Sequence, residues 1–117
     1  MNYSDFAQEW INAWNSHELD QIMAHYDKDI DFRSPFIAKM GIDPEGKIRG
    51  KDALSAYFRI ALEKYPDLHF EHYLTLEGPG SVVLYYKSVL NASAAEYMEL
   101  NEQGLVTKVR AHYHFPA

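Results

Sequence analysis

The sequence contains no cysteine, which excludes disulfides, a thiol nucleophile and any thiolate-ligated metal. It is also short of positive charge. Eleven Lys and Arg stand against 17 Asp and Glu, a net charge of −6, and the cations form no run. Nucleic acids and anionic membrane surfaces need a basic face, so neither is expected as a partner. No stretch comes near the roughly 20 apolar residues of a membrane-spanning helix. The opening Met1-Asn2-Tyr3-Ser4-Asp5 has no cationic segment leading into an apolar one. The expected location is therefore the cytoplasm, where Asn91-Ala92-Ser93 is a turn rather than a glycosylation site. Repeats, low-complexity tracts and linkers are missing too, so residues 1–117 are expected to form one domain.

Aromatic residues are plentiful instead, at 15% of the chain with nine Tyr. Such side chains fill volume and carry a polar tip, which suits a cavity wall or an interface as well as a core. Ser4 and Asp5 are N-cap candidates for a first helix, on which Phe6, Trp10, Ala13 and Trp14 recur along one stripe. Leu19, Ile22, Met23 and Tyr26 give a second, shorter helix its buried side. Ile30 to Arg33 alternates like a short strand that Pro35 stops. From Phe36 to Gly50 there is no clean period, and Gly41, Pro44, Gly46 and Gly50 break the chain. The expectation is a long loop at the rim of a pocket. A third helix runs from Lys51 to Tyr65 and ends at Pro66. Four strands follow, Leu68–Glu77, Ser81–Leu90, Ala94–Leu100 and Leu105–Phe115, joined by short turns of the kind that connect antiparallel neighbours.

Several segments carry a resemblance. These are Trp10-Ile11-Asn12-Ala13-Trp14-Asn15 running into Glu18-Leu19-Asp20, then Ile30-Asp31-Phe32-Arg33-Ser34-Pro35. Gly50-Lys51-Asp52-Ala53-Leu54 opens the third helix, and Gly104-Leu105-Val106 opens the last strand. In this order the chain resembles the nuclear transport factor 2-like superfamily, and within it the SnoaL-like, polyketide cyclase-like branch. The resemblance implies an α+β, cone-shaped fold, with three N-terminal helices packed on a strongly curved, mainly antiparallel sheet that encloses a pocket. In ketosteroid isomerases of this superfamily an oxyanion-binding Tyr stands where Trp10 stands here, and the general-base Asp stands where Ser34 precedes Pro35. A Ser hydroxyl is no enolising base without an activating partner, so steroid isomerisation is not expected. Other members place a working acid on the last strand, whereas Val109-Arg110-Ala111-His112-Tyr113-His114 has none.

Two residues are left as candidates for acid–base work. Glu96 shares a strand face with Ala94, Met98 and Leu100, an acid among apolar neighbours on the presumed inner side. It is either a working acid or a structural one bonded to a Tyr or Arg. His112 is the second candidate, because an imidazole is a common general base. If Leu105, Thr107, Val109, Ala111, Tyr113 and Phe115 form the inner face, His112 and His114 point outward. A β-bulge would reverse that parity. Asp31, between Ile30 and Phe32, either meets solvent or turns toward the helices. The candidate pocket wall comprises Trp10, Trp14, Phe32, Tyr57, Phe58, Tyr86 and Met98, with Tyr85 also considered.

The leading expectation is a small-molecule-binding protein with an apolar, aromatic-walled pocket and a hydrophobic ligand, without cofactor or metal. One alternative is a cofactor-free isomerase, cyclase or dehydratase acting on a hydrophobic carbonyl compound. The other is a non-catalytic interaction module. A homodimer through the sheet is expected, with Val83, Tyr85, Val89 and Val106 on the face away from the helices.

Overall fold

Helix α1 spans Tyr3–Ser16, and its stripe of Phe6, Ala7, Trp10, Ile11, Ala13 and Trp14 is buried. Its cap is Asn2, earlier than Ser4 or Asp5, because the Asn2 side chain accepts the Asp5 N–H. His17 ends it in the left-handed conformation, with its backbone N–H bonded to the Trp14 carbonyl. The computed structural model that gives these positions describes residues 2–116. A five-residue α2, Leu19–Met23, buries Ile22 and Met23 and leads into β1, Tyr26–Arg33.

The stretch expected to be one long loop holds two elements. Pro35–Lys39 forms a short helix α3, because Ser34 caps it by accepting the Phe36 N–H at 3.2 Å and Pro35 is preset for a first helical turn. Lys47–Arg49 then forms β2, antiparallel to β1. At Gly46 a Cβ would sit 2.8 Å from the Ser34 carbonyl oxygen, so only glycine lets this return pass the cap. Helix α4, Lys51–Lys64, buries Leu54, Tyr57 and Phe58. With α3 included, the helices before the main strands number four rather than three.

Strands β3 (Glu71–Gly78), β4 (Ser81–Lys87), β5 (Ser93–Leu100) and β6 (Val106–His114) form the expected antiparallel meander. The sheet has six strands in the order β2-β1-β6-β5-β4-β3, and β1 lies parallel to β6, which makes it mixed. One register shift sets the side-chain parity of β6. Glu99 pairs with Lys108 and Leu100 with Val106, so Thr107 is an extra residue. Val106 and Val109 therefore both point to the core, each fully buried, instead of on opposite faces. The core lies between this inner face and helices α1 and α4. Among the described residues no helix is long and apolar enough to cross a membrane.

Candidate functional site

Antiparallel pairing of β4 with β5 sets Tyr86 opposite Ala94 and Leu84 opposite Glu96. Tyr86 and Glu96 are thus diagonal neighbours on the inner face, a separation that long side chains bridge. The Tyr86 hydroxyl donates to Glu96 Oε1 at 2.5 Å. Glu96 is only 3% exposed, and no Lys or Arg pairs with it among the described residues. Burial pushes its carboxyl up to about 7, and the Tyr86 hydrogen bond only partly holds it down. A carboxyl in that state can hold or release its proton near neutral pH.

The surrounding hydroxyls respond to the same burial and the same acid. Tyr57, Tyr86 and Tyr113 are all pushed well above the ordinary phenol range, first by burial and next by the negative charge of Glu96. They remain neutral donors at any physiological pH. Deeper in, the Trp10 indole N–H donates to the Tyr26 hydroxyl at 3.0 Å. The Trp14 N–H is buried with no hydrogen-bond partner among the described residues.

Glu96 lines a cavity of about 50 Å³. The same wall includes Trp10, Trp14, Phe32, Tyr57, Phe58 and Tyr86. The aromatic rings interlock: Trp14 meets Phe58 edge-on at 4.7 Å and Phe70 meets Tyr86 at 4.7 Å between centroids. The wall also takes in Phe70, Tyr113 and Ser34, none of them among the pocket residues expected from the sequence. Tyr113 falls on the inner parity of β6 and could have been found there. Phe70 could have been found from its alternation with Leu68 across His69, and Ser34 from the general-base position it occupies in the resemblance.

Other candidates lie elsewhere. Met98 is fully buried, paired with Val82 and Val109 in the sheet, and belongs to the core rather than the cavity wall. His112 is exposed on the opposite face, its Nδ1 3.1 Å from the Arg110 carbonyl oxygen. A bulge does occur in β6, but at Thr107, and it leaves His112 and His114 facing outward beside inward Ala111 and Tyr113. Tyr85 also points outward and is 38% exposed. Asp31 faces the outer side, where Arg110 Nη2 donates to its carboxylate at 3.0 Å. Burial alone would raise its carboxyl, but the Arg110 hydrogen bond and the charges of Arg110, Arg33 and Arg49 hold it below the usual range. Among the described residues no three His, Asp or Glu side chains gather as metal ligands.

A family model of the SnoaL-like domain matches residues 7–115. Among curated proteins none matches significantly. A SnoaL-like protein of unknown function from Burkholderia thailandensis is 40% identical, with a TM-score of 0.91 over 95% of this chain and 92% of that one. A nuclear transport factor 2-like protein of unknown function from Cytophaga hutchinsonii shares the fold at 16% identity, with a TM-score of 0.72 over 97% of this chain and 91% of its own. A Sinorhizobium meliloti protein, provisionally named a polyketide cyclase, does so at 10% identity, with a TM-score of 0.75 over 92% and 94%. With four helices ahead of the main strands, a six-stranded mixed sheet that shares the nuclear transport factor 2-like fold, and a family match over nearly its whole length, the chain belongs to the SnoaL-like family.

Proposed function

We propose that this protein is a cytoplasmic binding protein for a hydrophobic small molecule, held in the aromatic cavity with its polar group against Glu96. One observation carries the reading. Glu96 is buried without a cation and bonded to a single tyrosine, in a wall made mostly of aromatic side chains. A purely structural acid would be expected to have its remaining acceptor sites filled. A cavity of about 50 Å³ has room for a few water-sized groups. It therefore takes a small head such as a methyl ketone, unless the side chains at its mouth swing aside.

The test is calorimetric binding of acetophenone, a small aryl ketone, to the wild type and to Glu96→Gln across about pH 5 to 8, the range spanning carboxylate and His titrations. Gln keeps the shape and removes the charge. Wild-type affinity should change with pH through the Glu96 titration, and the variant's should not. Identical binding by both proteins at every pH would remove Glu96 from the site.

The near-neutral Glu96 also favours an enzymatic reading, a cofactor-free isomerase, cyclase or dehydratase acting on a carbonyl compound. In that reading the Glu96 carboxylate takes a proton from the carbon beside the carbonyl and returns it elsewhere, and the neutral tyrosines donate to the developing oxyanion. His112 has no part in it, since it lies outside the cavity.

The outer face of the sheet supports self-association. Tyr73, Leu74, Leu76 and Tyr85 are between 38% and 56% exposed there, with Tyr73 and Tyr85 rings 5.2 Å apart. Two residues first assigned to this surface do not belong to it. Val106 is core because of the Thr107 bulge, and Val89 lines the cavity. A second copy covering the β3–β4 half is the occupant proposed, because the patch is apolar, continuous and at a sheet edge. Light scattering at micromolar concentration should give twice the 13.6 kDa chain mass. Tyr85→Glu, placing two like charges in the contact, should return it to one. A monomer mass for the wild type would overturn the dimer.

A further inference from the structure

Tyr65, Leu68, Ser88 and Val89 line the cavity, and the same four residues line an open surface depression of about 370 Å³. The two spaces adjoin at these residues, which form the wall between them. Tyr65 and Val89 are only half-buried in it, and rotation about their side-chain bonds is the least movement that would join the spaces. The turn that carries this wall is held in an unusual backbone. Leu90 and Asn91 both have positive φ, 59° and 58°, in a segment with no glycine to relieve it. Leu90 is 54% exposed at the rim of the depression despite its apolar side chain. Strained backbone and an exposed apolar side chain are concentrated at binding edges in proteins.

Resting on the binding reading above, we infer that cavity and depression are one channel for an elongated amphiphile, with a small carbonyl head at Glu96 and an uncharged, amide- or hydroxyl-bearing tail in the depression. The head is set by the inner volume and the aromatic wall. The tail is set by the outer lining. Lys64 offers donors, Asp67 acceptors, and His69 either, so the depression has hydrogen-bonding capacity of both kinds without one dominant charge. A carboxylate tail would be drawn to Lys64 and repelled by Asp67, and an ammonium the reverse, whereas an amide offers a donor and an acceptor at once and an alkyl tail offers neither.

Three ligands test this on the wild-type protein by calorimetry: acetophenone, the same ketone extended at its para position by an amide-bearing chain, and the ketone extended by an alkyl chain of equal length. The amide-tailed ketone should bind at least about tenfold more tightly than acetophenone, and more tightly than the alkyl-tailed one. The Lys64→Ala/His69→Ala double variant should lose most of that gain, with its melting temperature showing that it is folded. Acetophenone binding without any gain from the amide tail would overturn the channel and leave the cavity reading standing. Equal gains from the alkyl and amide tails would overturn the tail assignment, and so the inference. If none of the three binds, the cavity reading fails and the channel fails with it.

Discussion

Between about pH 5 and pH 8 the wild-type protein should lose on the order of 3 kcal/mol of stability that the Glu96→Gln variant keeps, given a folded carboxyl at about 7 and an ordinary value of 4.5. The sign follows from which state holds the proton. Below about pH 4.5 Glu96 is protonated in both folded and unfolded chains, and it adds no pH dependence. As pH rises past 4.5 the unfolded chain releases the proton while the buried carboxyl keeps it, so unfolding becomes easier. The loss continues until pH passes about 7, where the folded protein ionises as well. Other carboxylates contribute their own pH dependence to both proteins, so the diagnostic quantity is the difference between the two curves. Urea midpoints at half-unit pH steps provide it. Parallel curves for wild type and variant would show that Glu96 ionises in the folded protein as it does in water. Tyr86→Phe sharpens the test. That variant removes the hydrogen bond that partly stabilises the charged form, so its loss of stability should extend to higher pH than the wild type's.

Removing Trp10 should cost still more. Its side chain is 1% exposed and packs on Trp14, Phe70 and Tyr86, with centroids 5.4 to 6.1 Å away, while its N–H donates to Tyr26. Trp10→Ala should lower stability by about 3–5 kcal/mol, the cost of a large core side chain plus the hole it leaves. Trp10→Phe separates the two contributions. It keeps a ring in the wall but leaves the buried Tyr26 hydroxyl without its donor, for about 1–3 kcal/mol. Denaturant unfolding of both variants reads the values. An alanine variant within about 1 kcal/mol of wild type would mean that the aromatic wall is too loose to depend on Trp10.

Much of this architecture was legible in the residues. The helical stripe from Phe6 to Trp14 and the inward alternation of Ala94, Glu96 and Met98 are local patterns, and the strand period by itself places Glu96 inside. The α3 helix was missed because its signal, Ser34 and Pro35 at a cap, was outweighed by the glycines and prolines that follow. The parity of β6 is not legible in the residues, because one extra residue at Thr107 turns Val106 inward without any mark in the sequence.

By itself, then, the sequence determined the two long helices, the C-terminal strand meander and the presence of one acid on an apolar strand face, because each of these depends on spacing along the chain. Tertiary structure alone decided the parallel pairing of β1 with β6, the outward position of His112, the placement of Met98 beyond the cavity wall, and the sharing of Tyr65 and Val89 by cavity and depression. Each of those depends on strands and helices distant in sequence meeting at one register. The near-neutral carboxyl of Glu96 is of the same kind, since it arises from every neighbour that keeps water away from it.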